Sequence, residues 1–194
     1  MMPHDCEEAD VHDPLFDERL HLVNITQWTP IPISKQLAIN LISQYLENDY
    51  TIFPLFNADL FVRDLVDERH CFCSPFLVNS ILSWAFQTYR PFNTETVEVS
   101  RKFFAQAQED FSCLTQHNTL SVVAALQISA MSSIMYGEDD LGLQLLQDSV
   151  GLGSLMGLFN ISSQAESANI WLNDSEDWVR SASYTAWGVY NWVS

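Results

Sequence analysis

Basic residues are scarce in this sequence. Eight lysines and arginines stand against 25 aspartates and glutamates, which gives a formal net charge of −17. Phosphate backbones and anionic lipid surfaces repel a chain of this charge. The composition therefore argues against direct nucleic-acid binding and against attachment to a membrane surface.

Cysteines are also few. The four cysteines are scattered, and no two of them form a Cys-x-x-Cys pair. The only cluster of soft metal ligands is His70-Cys71-x-Cys73, and one short cluster without a second pair rarely closes a tetrahedral zinc site. We therefore expect no disulfide framework and no metal or other cofactor in this chain.

The sequence shows neither a secretory signal nor a membrane-spanning run. Its first residues, Met1-Met2-Pro3-His4-Asp5, lack a positive segment followed by an apolar core, so we expect an intracellular protein. Residues 111–137 are uncharged if His117 is neutral, but Gln116, Asn118, Gln127 and several serines and threonines interrupt them. A buried core helix is the better interpretation of this stretch.

Residues 119–159 carry the strongest pattern, which predicts two helices joined by a tight acidic turn. Thr119 is a good N-cap, and Gly137 can adopt the left-handed conformation that ends a helix. The first helix is apolar on every side, so it should be buried. Its apolar positions include Leu120, Val122, Val123, Ala124, Ala125, Leu126, Ile128, Ala130 and Met131. The acids of the turn, residues 138–140, then lie at the positive end of the second helix, where capping explains them better than metal binding.

The remaining helices are predicted by their start signals. Ser34, Ser74 followed by Pro75, and Asn93 or Thr94 each precede a run with helical spacing. We expect the first of these helices to end near Asn48 and the second to occupy residues 75–89. After the break at Pro54, helical spacing resumes at Leu60, Phe61, Leu65 and Val66. A short helix over residues 165–172 and a final helix after the acids at 174–177 complete the set.

The predicted fold class is all-α: an irregular bundle of about seven or eight helices in a single domain, residues 34–194. Residues 1–33 are acidic, contain four prolines and show no sustained apolar period, so they should form a flexible lead-in. Within them, Leu20, Leu22, Val23, Ile25 and Trp28 could dock on the body as a short extended segment. No strand-period run competes with this interpretation.

Several ordered motifs resemble the middle homology region, the regulatory domain of fungal zinc-cluster transcription factors, from about Ser34 to the C-terminus. That region is an α-helical domain whose motifs follow one another in a set order. The corresponding segments here are Phe53-Pro54-Leu55, Phe103-Phe104-Ala105-Gln106-Ala107, Leu120 with Ala125-Leu126-Gln127, Met156-Gly157-Leu158-Phe159, and Arg180 followed by Trp187-Gly188-Val189-Tyr190.

The resemblance implies a regulatory, non-catalytic domain that acts in the nucleus on transcription by RNA polymerase II. It implies other transcription-regulatory proteins or a small effector as partners, leaves a homodimer open, and places zinc only in a DNA-binding cluster that this chain lacks. The motif positions that it transfers are mainly structural: Phe53, Pro54, Phe103, Phe104, Ala107, Leu120, Leu126, Gln127, Met156, Gly157, Leu158, Arg180 and Trp187.

The sequence also departs from the family pattern. Ser149, Gly151 and Gly153 stand where the family has alanines and an arginine, and Phe159 replaces a histidine. Three glycines in this predicted helix, Gly151, Gly153 and Gly157, cost about 2 to 3 kcal/mol of helix stability relative to alanine, so the helix should be either loose or closely packed. The six-cysteine cluster is missing and the family domain continues beyond Ser194, which points to a fragment or a divergent member. If the final helix normally packs against further residues, Trp187, Tyr190 and Trp192 should form an exposed apolar patch.

Two alternatives stay open. One is a helical protein-interaction scaffold with no DNA-related role. The other is an Mg²⁺-dependent prenyl-diphosphate enzyme, because Asp64-x-x-Asp67-Glu68 is similar to the metal-binding acids of that class. A second acidic motif and the basic residues that would hold a diphosphate are lacking, so the enzyme is the weaker hypothesis.

Overall fold

The computed structural model describes residues 15–91, 93–159 and 175–193, and these ranges contain seven α-helices, two short 3-10 helices and no strand. The all-α prediction is therefore confirmed. The α-helices are α1 Lys35–Ile52, α2 Ala58–Val66, α3 Pro75–Tyr89, α4 Thr94–Ser112, α5 Leu120–Met135, α6 Asp139–Leu155 and α7 Glu176–Val193. The predicted helix over residues 165–172 lies outside the described residues.

Side-chain caps begin four of these helices where the sequence predicts them. Ser34, Ser74, Asn93 and Thr119 each accept a hydrogen bond from the backbone N–H three residues later. Each cap satisfies one of the N–H groups that the first turn of a helix leaves without a partner. Helix α1 continues to Ile52 rather than ending near Asn48, because the first strong stop is Pro54, which forces Phe53 out of helical geometry.

Helix α5 is the centre of the fold. All residues from Leu120 to Ser133 are buried, which confirms the prediction of a helix enclosed on every side. It packs against α3 and α6 over its largest interfaces, while α7 contacts it on a further side. Helices α3 and α4 form a second extensive pair, and α1 packs on α3.

Two glycines end the helices of the central hairpin in the same way. Gly137 and Gly157 have φ angles of 76° and 75°. After each glycine the next residue donates its N–H to a carbonyl five positions back, from Glu138 to Ser133 and from Leu158 to Gly153, each near 3.0 Å. This is the Schellman geometry, which requires a left-handed residue at its centre and so favours glycine there.

The prediction of a flexible lead-in was wrong for residues 15–33. The 3-10 helices Glu18–Leu22 and Ile25–Gln27 hold this segment against the body, and Leu20, Val23 and Trp28 are at most 1% exposed. The predicted docking of this segment is confirmed, but the segment forms short 3-10 helices rather than an extended stretch, and Leu22 faces outward. Residues 1–14 lie outside the described part of the chain.

Within the described ranges, none of the helices has both the length and the hydropathy that a bilayer crossing requires.

Candidate functional site: an aromatic surface on α7

Helix α7 is held to the body at its C-terminal half by the segment after α1. A Cβ atom added at Gly188 would lie 2.8 Å from the carbonyl oxygen of Pro54 and 2.9 Å from the Cα of Leu55. The backbones therefore touch at this point, and only a glycine permits it. The rings of Phe53 and Trp192 meet edge to face next to this contact, with centroids 4.9 Å apart. The motif residues Phe53 and Pro54 thus form the surface on which the C-terminal half of α7 packs.

Two tyrosines extend the packing contact between α7 and the body. The ring of Tyr50 on α1 stacks on Tyr184 of α7 at 6.4 Å, and the Tyr50 hydroxyl accepts the N–H of Ala58 at 3.2 Å. Burial raises the pKa of Tyr50 to about 12, so its hydroxyl stays protonated at neutral pH. The same side chain thereby joins α1, α2 and α7.

The N-terminal end of α7 is fixed by charge. The guanidinium of Arg63 on α2 donates to Asp177 at 2.9 Å and to Asp64 at 3.2 Å. The hydrogen bond with Asp177 is the main cause that raises the pKa of Arg63. Arg180, the motif arginine, lies 3.7 Å from both Asp59 and Asp177. It is about half exposed, so each of its ion pairs contributes at most about 1 kcal/mol.

The face of α7 that is turned away from Pro54 and Leu55 is apolar and exposed. Trp187 and Tyr190 are 63% and 58% exposed, and their rings meet edge to face at 6.0 Å. With Phe159 and Ala186 they line an open hollow of about 300 Å³. We call these four residues the aromatic surface. The predicted patch is confirmed for Trp187 and Tyr190, whereas Trp192 is partly buried because it packs on Phe53.

The aromatic surface is unusual for its lack of charge. Residues 181–194 contain no charged residue, although the chain as a whole carries a net charge of −17. Interface centres are typically poor in charge and rich in Trp and Tyr. The aromatic surface therefore has the residue composition that is typical of interface centres.

The other motif residues lie in the core. Phe103 stacks on Phe86 and Phe104 meets Tyr136 edge to face, both at 5.5 Å. Ala107, Leu120, Leu126, Met156 and Leu158 are buried as well. The two ring pairs join α4 to α3 and to the end of α5, so these motif residues contribute to packing and do not form a binding site with Trp187.

Gln127 is the one core motif residue with a polar side chain, and that side chain is fully buried. Neither its amide oxygen nor its amide nitrogen has a hydrogen-bond partner within the described part of the chain. A buried polar group without a partner costs about 1 to 3 kcal/mol.

We expect Gln127→Met to raise the free energy of unfolding by about 1 to 3 kcal/mol, because methionine keeps the length of the side chain and removes the unpaired atoms. Urea unfolding followed by circular dichroism measures the change. Gln144→Met on the exposed side of α6 is the matched control and should change stability by less than about 0.5 kcal/mol. A loss of stability in Gln127→Met would show that the amide has a partner.

The candidate metal ligands do not assemble into a site. Asp64 is fully buried, and its two oxygens accept from Arg63 and from the N–H of Phe72, so neither is available to Mg²⁺. Cys73 is buried while Cys71 is exposed, and burial raises the pKa of the Cys73 thiol well above its usual value. Within the described ranges, no three His, Cys, Asp or Glu side chains are placed to hold an ion.

Neither a protein-family model nor a curated protein nor a solved structure matches the chain.

Proposed function

We propose that this chain is a regulatory, non-catalytic helical domain of the fungal zinc-cluster transcription-factor type. In this proposal it acts in the nucleus and controls transcription by RNA polymerase II through a protein partner bound at the aromatic surface. The observation that carries the proposal is the exposed, uncharged pair of Trp187 and Tyr190 on a strongly acidic chain.

The charge of the chain supports a proposal in which this domain and the DNA-binding module are separate. A net charge of −17 disfavours contact with DNA, so sequence recognition belongs to a separate basic module on the same or another chain. The domain then supplies a protein contact whose occupancy can differ between two states of the factor. The ordered family motifs support the same assignment, since most of their residues lie in the core of the domain.

A tethered reporter assay tests the proposal. The chain is fused to an unrelated DNA-binding domain in fungal cells, and transcription from a promoter carrying its site is compared with the DNA-binding domain alone. We expect the fusion to change reporter output severalfold. Trp187→Ala with Tyr190→Ala should return the output toward the baseline, because hot-spot aromatic residues cost 2 kcal/mol or more of binding energy, or about thirtyfold in affinity, when truncated.

The control variant is Leu143→Ala, which removes an exposed apolar side chain on α6, away from the aromatic surface. It should leave the reporter unchanged, and both variants should keep the thermal midpoint of the parent because they alter exposed positions. A fusion with baseline output would contradict the transcriptional role. If the chain still bound a protein through Trp187 and Tyr190 in that case, the interaction scaffold would become the better assignment.

A further inference from the structure

A second concave region lies between the C-terminal end of α4, helix α5 and helix α6. It is an open cleft of about 380 Å³, within the size range of small-molecule sites. Phe111, Leu126 and Leu152 supply apolar walls, and His117 and Asp148 supply polar groups. Phe111 and His117 contact each other edge to face at 5.1 Å, so one wall of the cleft is aromatic.

Packing explains two of the three glycines in α6 and leaves the one that lines this cleft unexplained. A Cβ atom at Gly142 would lie 2.6 Å from Ile134, and one at Gly153 would lie 2.8 Å from the ring of Phe159. Close packing therefore accounts for both. Gly151 lines the cleft, and a Cβ atom there would meet nothing within 4 Å.

Packing thus gives no reason for glycine at position 151. Its φ angle is not positive either, so alanine would fit the backbone. A glycine inside a helix costs about 1 kcal/mol relative to alanine. Its effect on the structure is to deepen the cleft beside Asp148.

The charge of the cleft selects the ligand. The side chain of Asp148 forms no ion pair or hydrogen bond with any residue in the described ranges, so its carboxylate is free to pair with a ligand. The acidic field of the whole chain favours cations and repels anions. Aromatic faces such as that of Phe111 also attract cations.

We propose that the cleft binds a small organic cation, in which an ammonium group is attached to an apolar body. The ammonium group pairs with Asp148, and the apolar body lies over Gly151 between Phe111 and Leu152. This binding does not depend on the proposed role in transcription, and it can be measured on the isolated chain.

Three probes with the same phenyl ring and different head groups test the proposal: phenethylammonium, phenethyl alcohol and phenylpropionate. Dissociation constants come from chemical-shift titrations of the full chain. We expect phenethylammonium to bind about fivefold more tightly than the alcohol, the upper end for an ion pair with an exposed carboxylate such as that of Asp148, and phenylpropionate to bind most weakly.

Substitutions at Asp148 and Gly151 separate the roles of charge and space. Asp148→Asn should remove the preference for the ammonium probe and leave the affinity for the alcohol unchanged, whereas the matched Asp140→Asn, an exposed acid on the same helix, should change neither. Gly151→Leu should abolish binding of all three probes by filling the cleft. Gly151→Ala should raise the thermal midpoint, because alanine favours the helix more than glycine does and its methyl group meets no neighbour.

Equal affinities for phenylpropionate and phenethylammonium would overturn the proposal, as would an unchanged affinity in Gly151→Leu. The proposal would also be overturned if none of the three probes bound saturably. If Gly151→Leu does not fold, the comparison of Asp148→Asn with Asp140→Asn still decides the result.

Discussion

Replacing Trp28 with alanine is expected to lower the free energy of unfolding by about 3 to 5 kcal/mol, the usual cost of removing a large aromatic side chain from a core. The side chain is 1% exposed, and its indole N–H donates to the carbonyl of Leu65 at 3.0 Å. Its own carbonyl accepts from Asn79 of α3 at 3.2 Å. Trp28 therefore joins the N-terminal segment to α2 and α3.

Urea unfolding followed by circular dichroism measures this effect, with Leu22→Ala as the control. Leu22 belongs to the same segment but is 68% exposed, so its loss should change stability by less than about 0.5 kcal/mol. If Trp28→Ala cost no more than the control, the segment of residues 15–33 would not be part of the cooperative fold.

The sequence predicts the helices well because their signals are local. Ser34, Ser74, Asn93 and Thr119 act on N–H groups three residues away, so a short window contains both partners. The burial of α5 is equally readable, because a helix with apolar residues on all sides has no face suited to water.

The N-terminal segment could not be predicted in the same way. Short 3-10 turns have no long apolar period, and the prolines at positions 14, 30 and 32 are as typical of flexible chain as of docked turns. Trp28 is ordered by Leu65 and Asn79, which lie 37 and 51 residues away. Contacts at that distance depend on the assembled fold rather than on local pattern.

The contacts that hold α7 include some that local sequence patterns predict and some that depend on the assembled fold. The break at Pro54 is visible in the sequence, and so is the missing charge on the face of Trp187. The ion pair of Arg63 with Asp177 spans 114 residues, and no local pattern indicates it. Likewise, the sequence shows glycines in α6, but only the neighbours of each one separate the packed Gly142 and Gly153 from the open Gly151.

Asp64→Ala is the second substitution with a large expected effect, a loss of about 1.5 to 3 kcal/mol in the free energy of unfolding, the usual contribution of a hydrogen bond to a charged group. The carboxylate is fully buried and accepts the N–H of Phe72 at 2.7 Å as well as the Nε–H of Arg63. Its removal leaves a buried N–H without an acceptor and weakens the anchor of α7, since Arg63 also binds Asp177.

Asp64→Asn and Asp67→Ala complete this test, with stability measured by urea unfolding. Asparagine keeps an acceptor for the N–H of Phe72, so it should cost less than alanine. Asp67 is exposed and, within the described ranges, its side chain has one ion pair, with Arg69 at 3.5 Å, so its loss should cost less than about 1 kcal/mol. Equal stability of the two alanine variants would contradict a structural role for Asp64. The expected instability of Asp64→Ala also affects any test of the enzyme hypothesis. Unfolding alone would remove activity from Asp64→Ala and not from Asp67→Ala. Any Mg²⁺-dependent turnover of a prenyl diphosphate must therefore be normalised to the folded fraction of each variant.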